Sequence, residues 1–383
     1  MSHIRSLVGE ALTDIIKSAK TGGPRIKVGL MAGGSELGSD ELVKGGELAV
    51  RQYPNIEVVM IGPKAEGYGD LEWIETADCD ADIAAAMEKA LKDGTIQGAV
   101  ALHYPFPMGV TTIGRILTPA RGKDMIIASS TGTSATLRTE AMLKNAIYGI
   151  AVAKAIGRKA PTVGILNIEG ANPVFRALDK LKDNGYDINF GTSVRSDGGS
   201  VLRGNDLLCG SVDICVNDTL TGNVLMKLFS SFNTGGSFEA LGWGYGPSAG
   251  EGWHHVISII SRASGAPVIA NAIAFNAAAV AGNLPAVVAD EMRKAREAGL
   301  DDIISSLQPK AVAHEENVPQ PPQEPTDAEI HGVDVLDVEE AVKELWKTGI
   351  YAESAMGCTG PVVKLASRNM EKGIAILKEN SYL

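Results

Sequence analysis

The sequence has no run that is rich in lysine and arginine. Its 35 lysines and arginines are outnumbered by 46 aspartates and glutamates, which gives a formal net charge of -11. Nucleic acids and anionic membrane surfaces bind proteins mainly through clusters of basic side chains. We therefore predict that neither a nucleic acid nor a membrane is the partner of this protein.

Cysteine is also scarce, since the 383 residues contain only four, namely Cys79, Cys209, Cys215 and Cys358. No two of them form a CxxC pair, and no HExxH or similar histidine spacing is present. These spacings fit neither a zinc module nor a disulfide framework. We predict no metal site, and a reducing, cytoplasmic environment.

The beginning of the given sequence also contains no long apolar run. Residues 1–24 lack the continuous apolar core of a signal peptide, and their apolar positions repeat at helical spacing, which predicts an amphipathic helix. One uncharged run, 266–289, is long enough to span a bilayer, but it contains several asparagines and Pro285. For this run we predict a buried strand and helix.

Glycine, in contrast, is abundant, with 44 residues against 5% aromatics. This composition is typical of an α/β protein with many tight turns between strands and helices. Short apolar, β-branched runs alternate with segments of helical periodicity, which predicts a mostly parallel sheet with helices on both faces. The predicted strands are 26–31, 56–61, 98–102, 125–128, 162–166, 188–192 and 212–216, and the predicted helices are 40–52, 81–92, 137–156 and 174–184.

A stretch with five prolines, 308–327, divides the chain. At about 150 residues per domain, the chain length allows two or three domains. We predict an N-terminal helix at 1–24, an α/β domain with two sub-domains at 25–307, a proline-rich linker at 308–327 and a C-terminal segment at 328–383. This segment is predicted to be helical at about 337–347 and again from Pro361 onward.

Three loops that follow predicted strands are rich in glycine, serine and threonine. Ligands of parallel sheets bind beyond the carboxyl ends of the strands, and backbone N–H groups at a helix start bind anions readily. The alternative is that such residues only cap helices and form turns. Because three such loops would lie on one edge of the sheet, we predict a phosphate or carboxylate site there. Its candidate residues are Gly34 and Ser35 in the first loop, Thr131, Gly132, Thr133 and Ser134 in the second, and Asp218, Thr221, Gly222 and Asn223 in the third, which leads to a helix expected from Val224.

Two histidine-containing segments are open to more than one interpretation. His103 follows the predicted strand 98–102, so we consider it as an acid or base of the reaction. The glycine-rich segment 241–255 is too long for a simple turn, and it predicts a mobile loop near a ligand. This segment ends in His254 and His255, which we interpret as surface or capping residues at the start of a helix.

Cys358 is the candidate nucleophile. It precedes Pro361, a residue that suits the first turn of a helix, and apolar residues follow at helical spacing to about residue 379. The N-terminus of a helix lowers the pKa of a cysteine thiol, and the thiolate is the nucleophilic form. Cys209 and Cys215 lie in apolar surroundings and are interpreted as packing residues. From these residues alone, a structural role for Cys358 stays open.

Two segments resemble the phosphate acyltransferases, which make acyl phosphates from acyl-carrier-protein thioesters. Residues 213–229 (DICVNDTLTGNVLMKLF) resemble the strand, loop and helix that contain the TGNV motif of this family. Residues 31–63 resemble its N-terminal glycine motif together with the helix and strand that follow. The resemblance covers roughly residues 25–300, and it implies the fold shared by phosphate acyltransferases and isocitrate dehydrogenases, here with a C-terminal helical tail.

Over its whole length the sequence resembles a narrower family, the alpha subunits of component C in glycine/sarcosine/betaine reductases. The predicted N-terminal helix, the proline-rich linker and the segment 356–361 (MGCTGP) carry this resemblance. It implies an oxidoreductase with an acyltransferase half-reaction. In that family an acetyl group is taken from carboxymethylated selenoprotein A as a thioester, and phosphate then cleaves the thioester to give acetyl phosphate. Cys358 matches the cysteine that carries the acetyl group.

The same resemblance implies the partners. They are a beta subunit of component C and selenoprotein A in its carboxymethyl-selenocysteine form, with an oligomeric assembly, inorganic phosphate as substrate and no cofactor. Two alternatives stay open. One is an acyltransferase that uses acyl carrier protein and does not need Cys358, and the other is a non-catalytic subunit that assembles a complex. Substitution of Cys358 or Thr221 would distinguish these hypotheses.

Overall fold

The computed structural model describes residues 25–64, 71–196, 198–308, 318–334, 337–357 and 360–383. The predicted N-terminal helix, part of the proline-rich linker and Cys358 lie outside these residues. The helices within them are α1 (Ser39–Gln52), α2 (Asp80–Lys92), α3 (Arg138–Ala155), α4 (Ala171–Asp183), α5 (Gly204–Cys209), α6 (Thr219–Ser231), α7 (Ala266–Ala281), α8 (Leu284–Glu297), α9 (Leu300–Ser306), α10 (Val338–Lys347) and α11 (Met370–Glu379). The strands are β1 (Ile26–Met31), β2 (Ile56–Gly62), β3 (Glu72–Glu75), β4 (Gly98–Ala101), β5 (Val110–Leu117), β6 (Asp124–Gly132), β7 (Thr162–Leu166), β8 (Asn189–Phe190), β9 (Val201–Leu202), β10 (Ile214–Val216), β11 (Gly246–Gly250), β12 (Ile257–Ile259), β13 (Ala328–His331), β14 (Ala352–Gly357) and β15 (Gly360–Leu365).

The large sheet has the strand order β3-β2-β1-β4-β12-β11-β5-β6-β10-β7-β8, and β9 also pairs with β7. Neighbouring strands are parallel from β3 to β12 and again from β6 to β8. The pairs β12–β11, β11–β5 and β5–β6 are antiparallel. Three successive reversals make the two parallel groups run in opposite directions, so their carboxyl ends point to opposite edges. The three glycine-rich loops therefore do not share one edge of a uniformly parallel sheet, as predicted, although Glu36 after the first loop, Thr131 to Thr133 in the second and Asn223 in the third line one cleft.

The core lies on both faces of this sheet. Neighbouring residues of a strand point to opposite faces. In β6, Ile127 belongs to one buried cluster, whereas Ile126 and Ala128 belong to another. The first cluster is built mainly from β1, β2, β4, α1 and α7, and the second mainly from β7, α3, α4 and α8. This arrangement confirms the predicted α/β class, a mostly parallel sheet with helices on both faces.

Most predicted elements of the first 220 residues are present with similar bounds. The predicted strands 26–31 and 162–166 coincide with β1 and β7, and the other five overlap β2, β4, β6, β8 and β10. The four predicted helices correspond to α1, α2, α3 and α4, with ends that differ by at most three residues. In the large sheet, β3, β5, β9, β11 and β12 have no counterpart among the predicted strands.

The glycine-rich segment 241–255 differs most from its prediction. It is not one long loop, because it contains β11, a fully buried strand in the middle of the sheet, but Tyr245 just before β11 does line the cleft described below. Gly246 makes this possible, because its φ is 84° and a Cβ there would lie 1.7 Å from the carbonyl oxygen of Ile113. His254 and His255 precede β12 rather than a helix. Their interpretation as the start of a helix is wrong.

The uncharged run 266–289 is also not a strand and a helix. It forms α7 and the first part of α8, and most of the α7 side chains are buried in the core. Among the helices of the described ranges, none is by itself both long enough and apolar enough to cross a membrane. By length and composition alone, α7 and α8 meet that criterion only as a pair bent by 61°.

The C-terminal residues form a separate antiparallel sheet of order β13-β15-β14. Helices α10 and α11 cover it and contribute Leu345 and Leu377 to a buried cluster with Ile330 and Val363. The predicted helix at about 337–347 is confirmed as α10. The predicted helix from Pro361 is wrong in its first part, because Pro361 lies in β15 and the final helix begins at Met370.

The error at Pro361 has a clear origin. Val363 and Leu377 do pack into one cluster, as helical spacing requires, but Val363 reaches it from a strand. The adjacent β-branched pair Val362 and Val363 favours that strand. The correction concerns Cys358, whose flanking residues belong to β14 and β15 and not to a helix start. The argument that a helix N-terminus lowers the pKa of its thiol therefore no longer applies.

Candidate functional site

A cleft forms where the loops after β4 and β12 meet the end of β6 and helix α6. Its volume is about 560 Å³, which suits a small ligand. The predicted residues that line it are His103, Thr131, Gly132, Thr133 and Asn223. Among the described residues, the lining does not include Gly34, Ser35, Ser134, Asp218, Thr221 or Gly222.

The end of β6 forms one wall of this cleft. The hydroxyl oxygens of Thr131 and Thr112 lie 2.7 Å apart. The backbone N–H of Thr133 donates to the Val110 carbonyl oxygen at 3.1 Å, so it is already used by the sheet. Helix α3 begins only at Arg138. The segment does connect a strand to a helix, but residues 129–132 belong to β6 and the connection is 133–137. Thr131 and Thr133 therefore lie at the strand end and not at the start of the helix.

Ser134 and the start of the third loop serve the fold. Ser134 is buried, and its Oγ donates to Oδ1 of Asn145 at 2.7 Å. Asp218 caps α6, because its carboxylate accepts hydrogen bonds from the Thr221 backbone N–H at 3.1 Å and from the Thr221 hydroxyl at 2.6 Å. The partial positive charge at the N-terminus of α6 is thus already balanced by the Asp218 carboxylate. These contacts fit the capping alternative, and α6 starts at Thr219 rather than at the predicted Val224.

Gly222 allows α6 to lie directly against β6. A Cβ at this position would be 1.7 Å from the carbonyl oxygen of Ser129 and 2.5 Å from Nδ2 of Asn217. The close approach lets Nδ2 of Asn223 donate to the Ser130 carbonyl oxygen at 3.1 Å. Asn223 is therefore the residue of the TGNV motif that reaches the cleft, and Gly222 acts by holding it there.

The loop after β1 supports the cleft from behind. Ser35 Oγ donates to the carbonyl oxygen of Arg262 at 3.4 Å, and the backbone N–H of Glu36 donates to the same oxygen at 2.8 Å. Gly34 stands in open space with a φ of 82°. The side chain that this loop contributes to the cleft is that of Glu36, next to the predicted pair.

Two cationic side chains line the cleft, and neither is among the residues predicted from the sequence. Lys227 Nζ lies 2.9 Å from Oδ1 of Asn223 and 3.2 Å from the hydroxyl of Tyr245. Arg262 is exposed, and its guanidinium is 3.8 Å from a carboxylate oxygen of Asp80. Lys227 could have been found, because it follows Asn223 by four residues and so shares its helix face. Arg262 follows β12, which has no counterpart among the predicted strands.

His103 lies in the loop between β4 and β5, and its exposed side chain lines the cleft. The same loop contains Tyr104 and Phe106, whose ring centroids are 5.0 Å apart. Phe106 also packs edge-on against Trp253 at 6.0 Å. This aromatic group gives the loop a fixed support beside the cleft. The role of His103 as acid or base stays a prediction.

The cysteines differ in their surroundings. Cys79 is exposed, whereas Cys209 and Cys215 are buried, and burial raises the pKa of the Cys215 thiol to about 12. This confirms the interpretation of Cys209 and Cys215 as packing residues. Cys358 lies outside the described residues. In the part of the chain that the structure describes, no three histidine, cysteine, aspartate or glutamate side chains are grouped so that they could hold a metal ion.

Relatives among known proteins cover the whole chain. A family model described as fatty acid synthesis protein matches residues 26–364. The chain is 49% identical over 383 residues to the glycine/sarcosine/betaine reductase complex component C subunit alpha of Peptoclostridium acidaminophilum. The alignment covers 99% of both chains.

More distant similarity covers part of the chain. The phosphate acyltransferase of Thermotoga petrophila is 28% identical over 234 residues, which are 53% of this chain and 67% of the relative. The crystal structure of a branched-chain phosphotransacylase from Enterococcus faecalis V583 aligns with a TM-score of 0.49 and 15% identity, over 67% of this chain and 99% of that one.

Proposed function

The chain belongs to the family of component C alpha subunits of glycine/sarcosine/betaine reductase complexes, and we propose that it transfers an acetyl group to inorganic phosphate. The acetyl group is carried as a thioester on Cys358 and is released as acetyl phosphate. Carboxymethylated selenoprotein A supplies the two-carbon unit and is left oxidised. A beta subunit of component C completes the oligomeric assembly.

The observation that carries this proposal is the presence of two cations beside hydroxyl and amide groups in one cleft. Lys227 and Arg262 supply positive charge, and Asn223, Thr131 and Thr133 supply hydrogen-bonding groups. Lysine and arginine form short, charge-assisted hydrogen bonds with phosphate oxygens. A cleft of about 560 Å³ leaves room for phosphate together with a small acyl group.

The chemical step is the phosphorolysis of a thioester. An oxygen of phosphate attacks the carbonyl carbon of acetyl-Cys358, and a tetrahedral oxyanion forms. When the oxyanion collapses, the C–S bond breaks and the new C–O bond of acetyl phosphate remains. The sulfur leaves as a thiolate and takes the proton that phosphate gives up, so no electrons are exchanged. Cations that hold the phosphate in place lower the barrier by positioning and by charge stabilisation.

Incubation with acetyl phosphate tests the role of Cys358, because the step is reversible. The chain, purified together with its beta subunit, should gain one acetyl group on Cys358 in intact-protein and peptide mass spectrometry. Phosphate or arsenate should remove the group again. Cys358→Ser should gain none, whereas Cys79→Ser, which changes the exposed Cys79, should behave as the wild type. An unmodified wild type, or an acetylated Cys358→Ser, contradicts the proposal.

Exchange of labelled phosphate into acetyl phosphate tests the cleft. Lys227→Met removes the ammonium group but keeps an unbranched side chain in the helix. A hydrogen bond to a charged group contributes about 1.5–3 kcal/mol, so the KM for phosphate should rise about tenfold or more. Lys92→Met, an exposed lysine at the end of α2, is the matched control and should leave the KM unchanged. An unchanged KM in Lys227→Met means that phosphate binds elsewhere.

The two other hypotheses give different outcomes in the same assays. An enzyme that uses acyl carrier protein should form acyl phosphate from the carrier thioester with Cys358→Ser as well as with the wild type, but not with Lys227→Met. In a non-catalytic assembly subunit, neither substitution should change the phosphate chemistry of the complex. The pattern across these two variants therefore identifies the hypothesis that holds.

A further inference from the structure

Glu239 is a buried acidic residue that the proposed chemistry does not use. It is 4% exposed and lies between α6 and β11. Its Oε1 accepts a hydrogen bond from the Tyr245 hydroxyl at 2.8 Å, and its Oε2 accepts one from Ser264 Oγ at 3.1 Å. Burial raises the pKa of Glu239, and the hydrogen bonds and the charge of Lys227 oppose that rise. Burying a carboxyl group costs free energy unless hydrogen bonds compensate for the lost water. The groups that bond to Glu239 therefore indicate its role.

Tyr245 connects this carboxyl group to the cleft. The residue is 2% exposed, and its hydroxyl has one proton, which it donates to Glu239. The same hydroxyl oxygen therefore accepts the hydrogen bond from Lys227 Nζ at 3.2 Å. Ser130 Oγ donates to the backbone carbonyl of Tyr245 at 2.6 Å and fixes the residue beside β6.

Lys227 is the end of this chain of hydrogen bonds and the group that faces the cleft. An ammonium group has three N–H donors. One donates to Asn223 Oδ1 at 2.9 Å and one to the Tyr245 hydroxyl at 3.2 Å, which leaves the third for a ligand. The ammonium group also lies 5.0 Å from the centroid of the Tyr245 ring, within the range of a cation–π contact.

Resting on the proposed function, we propose that Glu239 and Tyr245 are positioning residues for phosphate binding. Through the Tyr245 hydroxyl, the Glu239 carboxylate holds the Lys227 ammonium group at one place in the cleft. The flexible lysine side chain is then ordered before phosphate arrives, so less conformational entropy is lost when it binds. The step involves no covalent change in either residue.

A second buried glutamate provides a control of the same chemistry. Glu291 is 1% exposed and accepts hydrogen bonds from the Tyr186 hydroxyl at 2.9 Å and from Lys154 Nζ at 3.0 Å. None of these three residues lines the cleft as the structure describes it. Replacing Glu291 should therefore affect stability alone.

The experiment compares Glu239→Gln, Tyr245→Phe, the double variant and Glu291→Gln in the phosphate exchange assay, with the beta subunit present. The glutamine keeps an acceptor for Tyr245, so folding should be retained while the charge is lost. We expect the KM for phosphate to rise about five- to tenfold in Glu239→Gln and in Tyr245→Phe, with kcat within about twofold. Because Glu239 acts through Tyr245, the double variant should equal Tyr245→Phe alone.

Three results of the exchange assay would overturn this inference. The first is an unchanged KM for phosphate in Glu239→Gln. The second is a double variant whose KM rises by the product of the two single effects. The third is a rise in KM that also occurs in Glu291→Gln and is proportional to the loss of thermal stability. Failure of the proposed function is recognised separately, because then the wild type shows no phosphate exchange at all. In that case, equilibrium dialysis measures the affinity of the wild type and the same variants for inorganic phosphate, and the same pattern of weakened binding is expected. A wild type that binds no phosphate overturns the inference.

Discussion

Replacing Gly222 with alanine tests how closely α6 has to approach the sheet. A Cβ there would lie 1.7 Å from the Ser129 carbonyl oxygen, far below the 3.0 Å that real Cβ contacts reach. The obstacle is backbone, so it cannot turn aside as the end of a flexible side chain can. To relieve the contact, α6 has to move outward by roughly 1 Å or more, which strains a well-packed site.

The size of the effect follows from three contributions. Overpacking of this kind costs about 1–3 kcal/mol. The outward movement also breaks the 3.1 Å hydrogen bond from Asn223 to the Ser130 carbonyl, which contributes about 1 kcal/mol. Alanine has a better helix propensity than glycine, which offsets up to about 1 kcal/mol of this loss. We expect Gly222→Ala to lose about 2 kcal/mol of unfolding free energy, and to raise the KM for phosphate because Asn223 and Lys227 move with the helix.

Urea unfolding and the phosphate exchange assay measure the two expected effects. Gly204→Ala is the matched control, because Gly204 is also a helical glycine but an added Cβ there meets nothing within 4 Å. The control should be as stable as the wild type or slightly more stable. The reasoning is refuted if Gly222→Ala has the stability of Gly204→Ala and an unchanged KM.

Two further substitutions test carboxylates outside the cleft, the half-buried Asp218 and the buried Asp206. Asp218→Ala should lose about 1 kcal/mol of unfolding free energy in urea, because the hydrogen bond to the Thr221 backbone N–H is lost. Asp218→Asn keeps an acceptor and should retain most of the stability. Equal losses in the two variants would contradict the capping role. Burial alone would raise the pKa of Asp206, but hydrogen bonds from Arg203 and Val194 outweigh it and lower the pKa. A lowered pKa stabilises the folded state above the ordinary aspartate value of about 3.9 and stops doing so as the pH falls below it. Asp206→Asn should therefore be less stable than the wild type at pH 7, with a difference that narrows below about pH 4 in acid unfolding; a constant difference would refute this.

Local pattern was sufficient for the outer parts of the sheet. The strands β1 and β7 have the bounds that their apolar, β-branched residues predict, because strands buried on both faces are continuous apolar runs. Helices α1, α2 and α4 follow from the spacing of apolar residues, since each buries only one side, whereas α3 is buried almost continuously from Met142 to Ala153. The TGNV segment was likewise identified from sequence, together with Asn223, which lines the cleft.

The middle of the sheet could not be predicted in this way. Strand β11 consists of Gly246, Pro247, Ser248, Ala249 and Gly250, which have low strand propensity. It is a strand because its neighbours β5 and β12 supply hydrogen bonds and because glycine permits the close approach. The same antiparallel insertion reverses the second half of the sheet, and no local signal reports such a reversal.

The site shows the same division between local and tertiary information. The sequence by itself determined the α/β class and the loops that carry small polar residues, and the family resemblance predicts Cys358 as the acyl carrier. Tertiary structure alone decided that Asp218 caps a helix, that Asn223 faces a cleft, and that Lys227 meets Tyr245 and the buried Glu239 there. The physical reason is that propensity and periodicity act over a few neighbouring residues, whereas charges and hydrogen bonds in a cleft join side chains from distant elements that only the packed sheet brings together.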